Sequence, residues 1–192
     1  MGAVAIVMLV VLAIIVIVVV WAIMAYNRLV TLRNRVENGY SQIDVQLKRR
    51  TDLVPNLVEC VKGYASHESQ VFQNVTVARA EAMKAANSNA ATPADRAQAE
   101  SNLTNALMAL QATAEAYPDL KANQNFLQLQ DQLSDLEQKI AYARQFYNDV
   151  VQKLNTSIQT FPSNLIASMF HFAPGQYFQV AESDKQLPQV KF

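Results

Sequence analysis

The 192-residue chain contains one cysteine, Cys60, together with four glycines and two histidines. A single cysteine excludes an internal disulfide, and with it the small stapled domains of secreted proteins. Gly2, Gly39, Gly63 and Gly175 are too scattered for a phosphate-cradling loop, and neither Gly-x-Gly-x-x-Gly nor Gly-x-x-x-x-Gly-Lys occurs. Charge of one sign is not in excess. The 16 basic and 16 acidic side chains cancel, which argues against bulk nucleic-acid binding. Gly-x-Ser-x-Gly, His-Glu-x-x-His and Glu-x-x-His are missing as well, so neither a serine nucleophile nor a bundle-type metal site is signalled.

What is present is unevenly spread. Residues 1–25 carry no charge, and 24 of the 25 are apolar. Residues 1–50 hold six Lys/Arg against two Asp/Glu, and the remainder ten against fourteen. The stretch from Ala3 to Ala25 is 23 residues, about 35 Å as a helix, enough to cross a hydrocarbon core of about 30 Å with modest tilt. A cleaved signal peptide would have a shorter apolar core, a basic leader and a small-x-small cleavage pair, none of which is found. Trp21 and Tyr26 lie at one end of the run, where amphipathic rings favour the headgroup level, and Arg28, Arg33 and Arg35 follow at once. These five residues are the expected membrane interface. The positive-inside rule puts the arginines in the cytoplasm and the N-terminus outside.

Beyond the span the composition favours helix, with prolines as punctuation and no strand signal before residue 170. The spacing predicts an all-α protein: an anchor over 1–25, an elongated antiparallel four-helix bundle over 26–162, and a C-terminal aromatic tail over 163–192. Helix A continues from the membrane to about Arg49 along Leu29, Leu32, Val36, Gly39, Ile43 and Leu47. Helix B starts at an Asp52 cap with Pro55 in its first turn and runs to about Ala86. Its line passes through Val54, Leu57, Val61, Tyr64, Glu68, Val71, Val75, Ala78, Ala82 and Ala85, before an Asn87-Ser88-Asn89 turn. Thr92-Pro93-Ala94-Asp95 reads as a capped start for helix C, whose line is Ala99, Leu103, Ala106, Leu110, Thr113 and Tyr117. Pro118 interrupts it. Helix D runs from about Lys121 to Thr160 along Leu129, Leu133, Leu136, Ile140, Ala143, Tyr147, Val150 and Leu154, and Pro162 ends it. Asn164–Phe170 reads as a short helix, followed by Phe172, Tyr177, Phe178 and Val180, too apolar for a free linker.

Chemical sites are sparse. His67 stands far from His171 in sequence, and a rim position is the expected role. Cys60 lies between Glu59 and Val61 and reads as a small buried group rather than a reactive thiolate. Lys48-Arg49-Arg50 is the densest charge run. It is expected to be a solvated helix end, or else to close the A–B turn by pairing with Asp52 or to touch a neighbouring subunit. Phe170, Phe172, Tyr177 and Phe178 belong to a tail that either folds back over the bundle or makes subunit contacts, since exposed aromatics mark interaction surfaces. No catalytic residue, cofactor or metal is expected.

Four strings carry a resemblance to a known family. They are Tyr26–Val36 (YNRLVTLRNRV), Ile43–Val58 (IDVQLKRRTDLVPNLV), Ala114–Lys121 (AEAYPDLK) and Ile140–Asn148 (IAYARQFYN). With the anchor they resemble the LemA family of bacterial membrane-anchored proteins over nearly the whole chain. The resemblance implies one N-terminal span, a short outside N-terminus, a four-helix domain and no established activity. It also brings an association of some relatives with envelope proteases and membrane stress. The expected role is a non-enzymatic scaffold or adaptor on the lipid bilayer that forms a homo-oligomer. The alternatives are a regulatory partner of a membrane protease and, with little support, a metal-dependent or hydrolytic enzyme.

Overall fold

The computed structural model describes residues 2–88 and 90–179. The tail beyond 179, with Val180, lies outside the described residues, as does Asn89 of the expected turn. All regular structure among the described residues is helical, without a strand. The order is α1 (Gly2–Lys62), α2 (Ser69–Asn87), α3 (Pro93–Glu115), α4 (Pro118–Lys121), α5 (Gln124–Gln159) and α6 (Ser163–Met169). The described residues divide into two compact units, 2–38 with 149–175 and 39–148 with 176–179, and α1 and α5 each supply residues to both.

In the first unit, α1 exposes every large apolar side chain from Val4 to Val20. Among the described residues, α1 is the one helix long and apolar enough to cross a membrane. Past this stretch, Ala25, Leu29 and Leu32 close a small core with Leu154, Ile166 and Ala167, and Trp21, Val36 and Phe172 pack at its edge. Helix α6 stops in a Schellman arrangement. His171 takes the left-handed conformation (φ 54°), and its amide donates to the Ser168 carbonyl. The Phe172 amide reaches back to the Ala167 carbonyl at 2.9 Å. His171 is thus a helix stop. Asn155 of α5 then grips the chain, donating to the Gly175 carbonyl at 3.0 Å and accepting from its amide at 2.8 Å.

The second unit has a longer core built from α1, α2, α3, α4 and α5, including Val54, Leu57, Val61, Phe72, Val75, Leu103, Leu107, Leu110, Leu120, Phe126 and Leu133. Gly39 is buried where α1 meets α5. A Cβ built there would meet the Tyr147 Cα at 3.4 Å, so a side chain larger than alanine would force the two helices apart. Asn148 repeats the grip of Asn155, accepting from the Phe178 amide at 2.9 Å and donating to its carbonyl at 3.2 Å.

Several expected boundaries are corrected. No break separates helices A and B at 49–52: α1 continues through Pro55 to Lys62, and Asp52 caps nothing. A proline inside a helix removes the amide that would bond to the carbonyl four residues back, here that of Thr51. The Arg79 side chain of α2 takes that place, its Nε donating to the Thr51 carbonyl at 2.8 Å. The break falls instead at 63–68, inside the expected helix B. Gly63 weakens the helix there, and buried Ala65 anchors the connection. Helix C starts as expected, with Thr92 and Asp95 forming a reciprocal capping box behind Pro93. Its buried line, however, is Leu103, Leu107, Leu110 and Ala114, with Ala99, Ala106 and Thr113 half-buried beside it. After Pro118 comes the short α4, and α5 starts only at Gln124, where the Asn123 side chain accepts from the Phe126 amide at 3.1 Å.

The Arg79–Thr51 bond gives a direct prediction. Arg79→Met strands a buried carbonyl and should lower stability by about 1–3 kcal/mol in denaturant unfolding. In a Pro55→Ala background the restored amide takes over that carbonyl, and the same substitution should cost markedly less. Equal losses in both backgrounds would contradict the substitution of arginine for the missing amide.

Candidate functional site

The most concentrated chemistry lies inside the second unit. Position 50 falls on the inward line of α1 that runs Leu47, Arg50, Val54, Leu57, Val61, all buried. The Arg50 guanidinium is wholly removed from solvent. It is ion-paired to Glu100 of α3, itself buried, and to Glu137 of α5 at 2.7 Å. It also donates to the Thr104 hydroxyl at 2.9 Å and the Glu100 carbonyl at 3.1 Å. Taking one ion out of water costs several kcal/mol, offset only where partners and hydrogen bonds converge. Three helices supply that convergence here.

Two further arginines adjoin this centre. Arg96 of α3 is buried, lies 2.6 Å from the Asp44 carboxylate of α1, and donates to the Tyr40 hydroxyl at 2.9 Å. Its guanidinium also stands 5.2 Å from the centre of the Tyr40 ring, a cation–π arrangement. Tyr40 in turn packs on Tyr147, with ring centres 5.6 Å apart. Arg144 of α5 stacks over Phe178 at 5.2 Å, and its buried Nε has no partner among the described groups. Burial first, and the neighbouring Arg50 second, push the Arg144 pKa down, while Glu137 and Glu100 oppose this. Arg50, Arg96 and Arg144 thus stand with Asp44, Glu100 and Glu137 in a balanced set of six charges. Tyr147 is also affected: burial, with Tyr40 beside it, raises its hydroxyl to about 12. That hydroxyl donates to the Gln176 carbonyl at 2.7 Å.

A cavity of about 290 Å³ opens beside this set, lined by Asp44, Lys48, Asp52, Met83, Arg96 and Glu100 among others. Its buried charges are already paired, so it holds no converged excess of either sign. Among the described residues no group of three His, Cys, Asp or Glu side chains could hold a metal ion.

The expected site residues separate. Arg28, Arg33 and Arg35 are exposed and Trp21 is half-buried. Tyr26 packs on Phe170 at 4.7 Å and on Phe172 at 5.8 Å, and Arg33 lies 5.8 Å from the Phe172 ring. Lys48 and Arg49 are exposed, as are Phe170 and Tyr177. The expectation for Arg50 is corrected, because it is buried inside its own chain and is no surface contact, and Phe178 is buried there too, which leaves the folded-back of its two readings. Cys60 is half-buried, and burial pushes its thiol up, away from thiolate. His67 is exposed. Glu68 accepts from the Tyr117 hydroxyl at 3.3 Å, which accounts for an acid on an apolar line.

Sequence reasoning missed Glu100 and Glu137 as partners of Arg50, and the Arg96–Asp44 pair beside them. The signal was present: once α1 is read as continuous through Pro55, 47, 50, 54, 57 and 61 share a face, and Arg50 must point inward.

Two predictions follow from these charges. Arg50→Met leaves Glu100 buried without its counter-ion and should destabilise the protein by about 3–5 kcal/mol in denaturant unfolding. Pairing it with Glu100→Met should recover part of that loss, whereas a single-variant loss below about 1 kcal/mol would show the network to be dispensable. The second concerns Asp44, whose carboxyl burial raises above its ordinary 3.8, against the attraction of Arg96. The folded chain then holds this proton more tightly than the unfolded chain. Asp44 contributes stability that is fully present below that ordinary value and lost as pH rises through the higher folded one. Relative to Asp44→Asn, the wild type should lose stability as pH rises through the acid range. A relative gain over that range would reverse the assignment.

Comparison with known proteins places these features in a family context. The sequence pattern of the LemA family matches residues 39–192. Magnetosome protein MamQ 2 of Paramagnetospirillum magneticum is 25% identical over an alignment covering 82% of this chain and 65% of its own length. Protein LemA of Metamycoplasma hominis is 26% identical, with 83% and 71% covered. Magnetosome protein MamQ of Magnetospirillum gryphiswaldense is 24% identical, with 81% and 65% covered. The chain therefore spans about two-thirds of the length of the magnetosome relatives it matches.

Proposed function

The chain belongs to the LemA family of proteins, and from that membership we propose that it is a membrane-anchored scaffold that assembles with copies of itself. In this reading the first part of α1 spans a bacterial inner membrane. Arg28, Arg33 and Arg35 mark its cytoplasmic end, and 39–148 folds as a four-helix bundle. The observation that carries the reading is an apolar groove of about 660 Å³ on the α1–α5 face of the second unit, lined by Val45, Gln46, Lys139, Tyr142, Ala143 and Phe146 among others.

Tyr142 is 71% exposed, and Val45 and Phe146 are nearly half exposed, although all three sit on helices whose opposite sides are buried. Exposed aromatics clustered on a rigid wall are the residues that carry binding energy at interfaces. The side-chain oxygen of Gln46, buried in the groove wall, has no hydrogen-bond donor among the described residues. A second copy is the occupant this reading favours. Anchoring confines copies to two dimensions and raises their effective concentration, so that a modest groove suffices. The basic first 50 residues and the acidic remainder also give neighbouring copies complementary charge.

The test uses the full-length chain in mild detergent. Native mass measurement should give a multiple of the 21.4 kDa chain. Tyr142→Arg with Phe146→Ser should weaken association about tenfold or more, a loss of ~1.4 kcal/mol or more, without altering helix content. A wild-type monomer, or an oligomer indifferent to both substitutions, would reject the proposal.

A further inference from the structure

We infer that the corner between α5 and α6 is a second membrane-contacting element, inserted into the leaflet from which α1 emerges. The inference rests on the reading of α1 as a transmembrane helix and extends it to a segment about 140 residues further along the chain.

Phe161, Leu165, Met169 and Phe170 are 81%, 57%, 67% and 52% exposed. Leu165 and Met169 are four apart on α6, so they share one side of it, and Phe161 lies in the turn just before the helix. The other side of α6, Ile166 and Ala167, is buried against Ala25 and Leu29 of α1. The exposed side is therefore held at the end of the apolar span. Phe170 stacks on Tyr26 at 4.7 Å, and Phe161 and Pro162 share a cavity wall with Trp21, Met24 and Ala25. Ile23 and Met24 on the span are themselves exposed. An apolar surface thus runs from the lipid-facing side of α1 onto α6.

Three features fit this corner to lipid. From Leu154 to Gln179 the chain carries no Lys, Arg, Asp or Glu, its longest charge-free stretch after the span. Burying a charge in the interface would oppose insertion, and here there is none to bury. Two hydroxyls of the corner are also satisfied locally, while the buried Asn164 Oδ1 of α6 has no partner among the described residues. Ser163 donates to the Ser157 carbonyl at 2.7 Å and Thr160 to the Thr156 carbonyl at 2.9 Å, while the Schellman stop closes the end of α6. Such internal pairing is what a low-dielectric setting demands. Finally, Arg28 borders the same cavity, a cation beside an aromatic-rich apolar surface, the pattern of an interfacial element under anionic headgroups.

The experiment places an environment-sensitive fluorophore on the full-length chain in phosphatidylcholine vesicles, in a Cys60→Ser background. Single cysteines are introduced by Leu165→Cys, Met169→Cys, Gln152→Cys on the exposed side of α5, and Ile17→Cys in the span. Labels at 165 and 169 should lie about 5–10 Å below the headgroup boundary and lose about half their emission to a spin-labelled lipid quenching near that depth. The label at 152 should respond only to aqueous iodide. Labels at 165 and 169 that iodide quenches, or that neither quencher reaches because protein covers them, would overturn the inference while the anchor stands. A label at 17 that lipid fails to quench would overturn the anchor itself.

Discussion

The removal of one guanidinium from water constrains the second unit more than any single apolar contact. Arg50 sits on the inward line of α1 and needs anions within hydrogen-bonding reach. They come from two other helices, Glu100 on α3 and Glu137 on α5. Apolar side chains tolerate small shifts in register, because dispersion and burial are not directional. A buried ion pair does not, since a displaced helix leaves a bare charge in a poor solvent. Arg50 thereby ties the register of α1 to those of α3 and α5, and Arg96 with Asp44 repeats the tie between α1 and α3. The Arg79 side chain serves the backbone in the same spirit, filling the gap left by Pro55 so that α1 carries Arg50 inward on an unbroken helix.

The two units solve different solvent problems. Among its described residues, the second unit buries Arg50, Arg96 and Glu100 and pairs the two arginines with Glu100 and with the partly exposed Glu137 and Asp44. The first keeps its core of Ala25, Leu29, Leu32, Leu154, Ile166 and Ala167 free of charge and exposes apolar side chains outward. A charge-balanced interior suits a unit surrounded by water, where its surface can be polar. Uncharged surface next to a span suits lipid. Membership of the LemA family agrees with a membrane-associated helical protein, and the division of chemistry along this chain gives that description a physical basis.

Much of this was legible in the sequence. The apolar run, the helical class, the Thr92–Asp95 cap and the lines on α1 and α5 all follow from local periodicity, and each is local physics. The failures have a common cause. Pro55 was read as a helix start because proline favours the first turn, yet the contact that keeps α1 continuous comes from Arg79, 28 residues away along the chain. With the helix broken at 49–52, Arg50 fell at an end and looked like surface. The two readings of Phe178 stayed open for a related reason: its burial depends on Asn148 gripping its backbone and on Arg144 stacking over its ring, neither of which periodicity encodes. The groove at Val45, Tyr142 and Phe146 went unnoticed because its residues are apolar on helices already assigned an apolar face.

The account turns on Arg50 being an interior, multiply bonded cation, and nitrogen-detected magnetic resonance of its guanidinium reads this directly. In the full-length chain in detergent, its terminal N–H groups should give separate signals with slowed rotation and slow exchange with solvent, in contrast to the neighbouring Arg49. Averaged, rapidly exchanging signals from both arginines would mean that the charge lies in water, and that the helices of this unit are held in register by something else.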